Sequence, residues 1–129
     1  MAIKTILVED NEKIRANLIP TLLDMADLEV VAVAETQDDA LRALHEHPNW
    51  QLIVIDMFLR EGSGLGVLRG CADRKPYQVA FVLTNYATDE MRQRCQDAGA
   101  DGVFDKSLEL EAFFKRCLEI VPRGAADKQ

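Results

Sequence analysis

The sequence predicts an α/β domain, a doubly wound parallel sheet with helices on both faces, and three observations support that reading. Short β-rich apolar runs alternate with helix-period segments along the whole chain. The run Leu52-Ile53-Val54-Ile55 is continuously apolar, as suits a strand buried on both faces. Five strands separated by five helices require βαβ crossovers, which lay helices over both faces of a parallel sheet.

The elements follow in order. Residues 3–8 form the first strand, and Ile14, Leu18, Leu22 and Met25 step along one face of the first helix. Asp10-Asn11 can cap that helix, while Pro20 falls inside it and should kink it or remove one hydrogen bond. The second strand spans 30–34, and Thr36 or Gln37-Asp38 caps a helix carrying Ala40, Leu41 and Leu44. After the strand at 52–55, Gly62-Ser63-Gly64 leads into a helix with Leu65, Leu68 and Ala72. The fourth strand spans 79–83. Thr88-Asp89-Glu90 then opens a helix with acids at its positive end, carrying Met91, Cys95 and Ala98, and 99–102 stops it. A weak strand at 103–104 precedes a helix predicted to begin at Ser107. Leu110, Phe113, Phe114, Cys117, Leu118 and Val121 make its stripe the clearest in the chain. Pro122 ends it, and a short polar tail follows.

Composition narrows the function. At 129 residues there is room for one ordinary domain, and 48% apolar with 29% charged residues is a globular balance. A chain of this length buries roughly two-thirds of its unfolded surface and needs no disulfide or metal staple. A net charge of −7 without a basic run argues against direct nucleic-acid binding. No apolar stretch is long enough for membrane insertion, and the N-terminus lacks the pattern of a signal peptide. Three cysteines, Cys71, Cys95 and Cys117, sit at helix-like apolar positions and read as reduced core thiols of a cytoplasmic protein.

Ligands of open α/β sheets bind outside the carboxyl ends of the strands, where strand order reverses. The first strand ends in Glu9-Asp10, the third in Asp56 and the fourth in Thr84, and the fifth leads into Lys106. Three acids, a hydroxyl and an ammonium should therefore converge on one edge. Carboxylates this close repel one another and call for a compensating cation. An all-oxygen set with open positions suits Mg²⁺. One carboxylate can then act as a nucleophile, with hydroxyl and ammonium placed to hold a phosphoryl group.

The order Val8-Glu9-Asp10-Asn11, Val54-Ile55-Asp56, Leu83-Thr84-Asn85 and Phe104-Asp105-Lys106 resembles the receiver domain of two-component response regulators, in particular the stand-alone chemotaxis type. The stretch from Asp56-Met57-Phe58-Leu59 into Gly62-Ser63-Gly64-Leu65 matches as well, and the likeness covers about residues 3–121. It implies a flavodoxin-like (βα)5 fold with strand order 2-1-3-4-5. Residues 1–122 would form the receiver and 123–129 the tail. It also implies that Asp56 accepts a phosphoryl group from a phosphohistidine on a sensor histidine kinase or phosphotransfer protein. Asp10, Asp56 and the Phe58 carbonyl would bind Mg²⁺, with Glu9 acting through water. Thr84 would donate to the phosphoryl group, and Lys106 would pair first with Asp56 and then with the phosphate. The face made by the fourth helix, fifth strand and fifth helix would change to regulate a partner protein or to form a homodimer. Hydrolysis of the aspartyl phosphate would reset the signal. With no output module in the sequence, the chain is expected to act through another protein.

Some positions depart from the family pattern. The usual aromatic three residues before the lysine is Val103, with Phe104 next, which leaves an aromatic rotamer switch without its usual residue. Ser107 stands where a cis proline is common, Arg60 where proline is common, and Asn85 where a small residue is usual. Phe58 and Tyr86 are expected at the mouth of the site, where bulk should slow dephosphorylation. Two rival functions remain. A Mg²⁺-dependent phosphohydrolase would want a second aspartate two residues after the nucleophile, where this chain has Phe58, so an enzyme is not expected. A receiver-like module never phosphorylated would not need all five site residues. His45 and His47 have no ligand cage near them in sequence, and Gly62, Gly64 and Gly66 lack the Lys-Ser/Thr of a phosphate loop.

Overall fold

The computed structural model describes residues 2–25 (Met25 by its backbone only), 27–85 and 87–120. The Met25 side chain and the expectations for Tyr86, Val121, Pro122 and the tail 123–129 lie outside the described residues. Five parallel strands, β1 (Ile3–Val8), β2 (Leu28–Ala34), β3 (Leu52–Ile55), β4 (Val79–Thr84) and β5 (Gly102–Asp105), stand in the order β2-β1-β3-β4-β5. Between and after them run α1 (Glu12–Met25), α2 (Gln37–Glu46), α3 (Gly64–Gly70), α4 (Asp89–Asp97) and α5 (Leu110–Leu118). This is the doubly wound order expected, with its switch point between β1 and β3.

Strand side chains alternate between two cores, as the pleat requires. Ile6, Val8, Ile53, Ile55, Ala80, Val82 and Val103 face α2, α3 and α4 and pack with Ala40, Val67, Leu68 and Cys95. Ile3, Leu7, Leu52, Val54, Phe81, Leu83 and Phe104 face α1 and α5 and pack with Leu18, Leu22, Phe113 and Cys117. Phe104 therefore belongs to the α1/α5 core. Its ring meets Phe81 at 5.5 Å and Phe113 at 5.6 Å, edge to face, while Val103 fills the opposite side.

The helix starts follow the capping rules, with one exception. The Asn11 side chain accepts from the Ile14 amide, Thr36 from Asp39, Ser63 from Gly66 and Thr88 from Met91. Helix α1 continues through Pro20, and the Thr21 hydroxyl donates to the Asn17 carbonyl one turn back. The predicted start of the fifth helix at Ser107 is wrong. The Asp105 carboxylate accepts the amides of Ser107 (2.7 Å) and Leu108 (3.1 Å), folding 106–108 into a turn, and α5 begins only at Leu110. The α5 stripe is also narrower than predicted. Phe113 and Cys117 are buried, but Leu110 and Leu118 are 37% and 53% exposed. Likewise, Ala72 lies past the end of α3, exposed, and Cys71 takes the buried place.

Candidate functional site

Sheet register brings the predicted residues together. Val8 pairs with Ile55, and the Asp56 amide donates to the Val8 carbonyl at 3.0 Å, which places Glu9-Asp10 and Asp56 side by side just beyond β1 and β3. Ile55 pairs with Val82, so Thr84 ends β4 at the same edge, fully buried. The Lys106 amide donates to the Thr84 carbonyl at 2.9 Å, fixing where the lysine leaves the sheet. Glu9, Asp10 and Asp56 each offer a carboxylate oxygen, and these atoms all lie within 4.8 Å of one another.

Lys106 reaches back over 97 residues to this cluster. Its Nζ lies 2.5 Å from Glu9 Oε1 and 3.2 Å from Asp56 Oδ2, and all three side chains are at least nine-tenths buried. Burial pushes the Glu9 carboxyl above its ordinary value; the Lys106 hydrogen bond opposes this, and the Asp56 charge adds to the rise. Another cation lies close, but Arg15 uses one nitrogen for both the Glu9 carbonyl (2.8 Å) and the Glu35 carboxylate (3.2 Å). Three clustered carboxylates thus have one ammonium against them among the described residues, and it contacts two of them, Glu9 and Asp56. That shortfall of positive charge, in an all-oxygen donor set, fits a hard divalent cation such as Mg²⁺.

The loop after Asp56 is held from several sides. The Phe58 amide donates to Asp56 Oδ1 at 3.3 Å, and Phe58 bridges to Ser63 across the turn. Ser63 in turn donates its amide to Gln37 Oε1 at the start of α2. Gly64 is required here: a Cβ would sit 2.3 Å from the Asp56 carbonyl oxygen. Half of the Phe58 side chain is exposed, as a residue at the mouth should be. A groove of about 410 Å³ runs between α1 and α5 and meets the site only at Lys106 and Asn85. Among the described residues no carboxylate lines it.

Sequence reasoning missed Arg15, the brace by Gln37, and the pair Arg92 and Glu109 behind the lysine turn. These act through long side chains across distant loops, which leaves no periodic trace. The cysteines do lie in the core: all three are free and buried, and desolvation raises the thiols, Cys71 to about 11 and Cys117 to about 12.

Comparison with known proteins decides the family. A family model described as the response regulator receiver domain matches residues 5–117. The chain belongs to this family. It is 31% identical over 107 residues to the DNA-binding transcriptional activator DevR/DosR of Mycobacterium tuberculosis, covering 82% of this chain and 48% of that protein. With the response regulator VraR of Staphylococcus aureus it shares 28% over 108 residues, covering 83% and 51%. The chain thus spans about half the length of these curated relatives. Among solved structures, a LuxR-family DNA-binding response regulator from Staphylococcus aureus is similar with a TM-score of 0.81 at 16% identity, covering 92% of this chain and 98% of that one. A CheX-CheY-BeF3-Mg complex from Borrelia burgdorferi matches with a TM-score of 0.78 at 13% identity, covering 92% and 88%. The family is that of phosphorylation-dependent signalling, and the relatives named above are response regulators. No helix among the described residues is long and apolar enough to cross a membrane.

Proposed function

We propose that this chain is a phosphorylation switch whose acceptor is Asp56. The observation that carries the reading is the buried Lys106 ammonium set against Asp56 and Glu9, with Asp10 completing the acid cluster. The donor is a phosphohistidine on a sensor histidine kinase or phosphotransfer protein. An Asp56 carboxylate oxygen attacks phosphorus; the new P–O bond forms as the P–N bond breaks, and the electron pair returns to the imidazole, which takes up a proton. The Phe58 amide on Oδ1 fixes the carboxylate plane. Lys106 follows the negative charge from the carboxylate to a phosphoryl oxygen, and the Thr84 hydroxyl donates to another. Asp10, Asp56 and the Phe58 carbonyl would hold Mg²⁺, with Glu9 acting through water, and the ion would supply positive charge for the transferred phosphoryl group. Water then attacks phosphorus, releases inorganic phosphate and restores the Asp56 carboxylate.

Movement of Thr84 would reshape the α4-β5-α5 surface and so engage a partner protein or a second copy in the cytoplasm. One relative is named as DNA-binding, and this chain covers about half of it. The −7 charge here supports the switch role for this segment rather than contact with DNA.

The test is intact mass after incubation with a small phosphoryl donor and Mg²⁺. Gain of one phosphoryl group in the parent, absent in Asp56→Asn and absent without Mg²⁺, is expected. Failure to gain it, together with failure to bind the beryllofluoride mimic, would leave a receiver-like interaction module that is not controlled by phosphorylation.

A further inference from the structure

Behind Lys106 lies a bracket centred on Arg92, in the second turn of α4. Its Nε donates to the Ala87 carbonyl at 3.1 Å and its Nη1 to the Val103 carbonyl at 2.9 Å, while Nη2 pairs with Glu109 Oε1. That Glu109 oxygen also accepts the Asp105 amide at 3.0 Å, and the Glu109 amide donates to the Asp105 carbonyl at 2.9 Å. Asp105 in turn folds the 106–108 turn through its own carboxylate. One guanidinium therefore joins three pieces of chain: the segment after Thr84, the end of β5, and the turn that launches Lys106. Ser107 cannot stiffen the chain after the lysine as a proline would, and the bracket instead ties down the chain on either side of the turn, at Val103, Asp105 and Glu109. Arg92 and Glu109 are only about one-third exposed, and the pairing holds the Glu109 carboxyl below its ordinary value.

We propose that Arg92, acting through Glu109 and the main chain of Asp105, is a positioning residue that holds the Lys106 ammonium in front of Asp56. The proposal rests on the phosphoacceptor reading for its consequence, but its geometry can be tested without it. A guanidinium is suited to this task because its rigid planar fork spreads its donors toward two carbonyls and a carboxylate on separate pieces of chain, whereas an ammonium offers its three donors from a single point. Misplacing a catalytic group by about an ångström costs up to roughly 100-fold in rate. Loss of the bracket should therefore show first in how quickly Asp56 is phosphorylated.

Two readouts test it. The first is the rate at which an amine-directed reagent labels Lys106 without Mg²⁺ or donor, followed by peptide mass spectrometry with exposed Lys115 as internal reference. Labelling of Lys106 is expected to rise several-fold in Arg92→Met and in Glu109→Gln. It should stay at the parent rate in Arg94→Met, which removes only the exposed Glu90 pair on the same helix. The second is the rate of phosphoryl uptake from a small donor. Arg92→Met is expected to slow it about tenfold in the parent, and to slow it no further once Lys106→Met is already present. Unchanged Lys106 labelling in both bracket variants would overturn the proposal, and so would an equal fold-loss with and without Lys106. If labelling responds as expected but the parent takes up no phosphoryl group, the positioning role stands and the phosphoacceptor reading falls.

Discussion

The two ends of the sheet both carry polar networks but treat them in opposite ways. At the amino end, Gln78 donates to the Pro48 and Trp50 carbonyls and accepts from the Lys75 amide. Arg74 serves the Gln78, Cys71 and Gly99 carbonyls and the Asp101 carboxylate, which also accepts from Ala80. One cation meets one anion there, and both are tied into main-chain hydrogen bonds. At the carboxyl end, three carboxylates meet one ammonium, and burial lifts the Glu9 carboxyl. The first arrangement closes loops and needs nothing from outside. The second is electrostatically incomplete, as a site for an external cation and a phosphoryl group must be.

The sharpest way to break this contrast is to remove the lysine. Lys106→Met leaves the buried Glu9 and Asp56 carboxylates without their shared partner, and losing one side of a buried pair typically costs about 3 kcal/mol or more. The variant should unfold at markedly lower denaturant than the parent, and Mg²⁺ should restore more stability to it than to the parent. Equal Mg²⁺ responses in urea titrations would mean that the cluster is not short of positive charge.

The opposite end supplies the matched control. Gln78→Leu orphans the buried Trp50 carbonyl and removes the part-buried bonds to the Pro48 carbonyl and the Lys75 amide, with an expected loss of about 2 kcal/mol. Phosphoryl uptake by the folded variant should match the parent. A change in uptake would show that the two ends are coupled through β3 and β4.

Why the site was legible and its supports were not follows from the same geometry. A strand that ends in Asp56 or Thr84 announces its position, because parallel register fixes which strand ends coincide. Four such ends, carrying five residues, needed only the alternation of elements and the strand-end rule. The Ser107 error came from a local competitor: the Asp105 carboxylate captured the two amides that a helix start there would have left for its own cap. The α5 error came from counting two ridges as one. Phe113 and Cys117 reach the sheet, whereas Leu110, Phe114 and Leu118, spaced by four, form a neighbouring ridge that opens to solvent at its ends. Arg92 and Glu109 were invisible because their partners are mostly carbonyls and amides, which every residue possesses.

The smallest expected effect bears most directly on the charge argument. The Glu9 carboxyl is raised above its ordinary 4.5, chiefly by burial, with Lys106 opposing and Asp56 adding to the rise. An acid raised in the folded state favours folding in its protonated form. Its stabilising contribution is complete below about pH 4.5 and is lost as pH climbs through the raised value. Above that raised value the ionised carboxylate is therefore a net burden on the metal-free fold, despite its contact with Lys106. Glu9→Gln should raise the unfolding temperature at pH 7 by on the order of a few degrees, with the gain vanishing toward pH 4. The same substitution should weaken Mg²⁺ binding. A lower unfolding temperature at pH 7 would mean that the Lys106 contact outweighs desolvation, and that the cluster is held together as a salt bridge rather than kept charged for a cation.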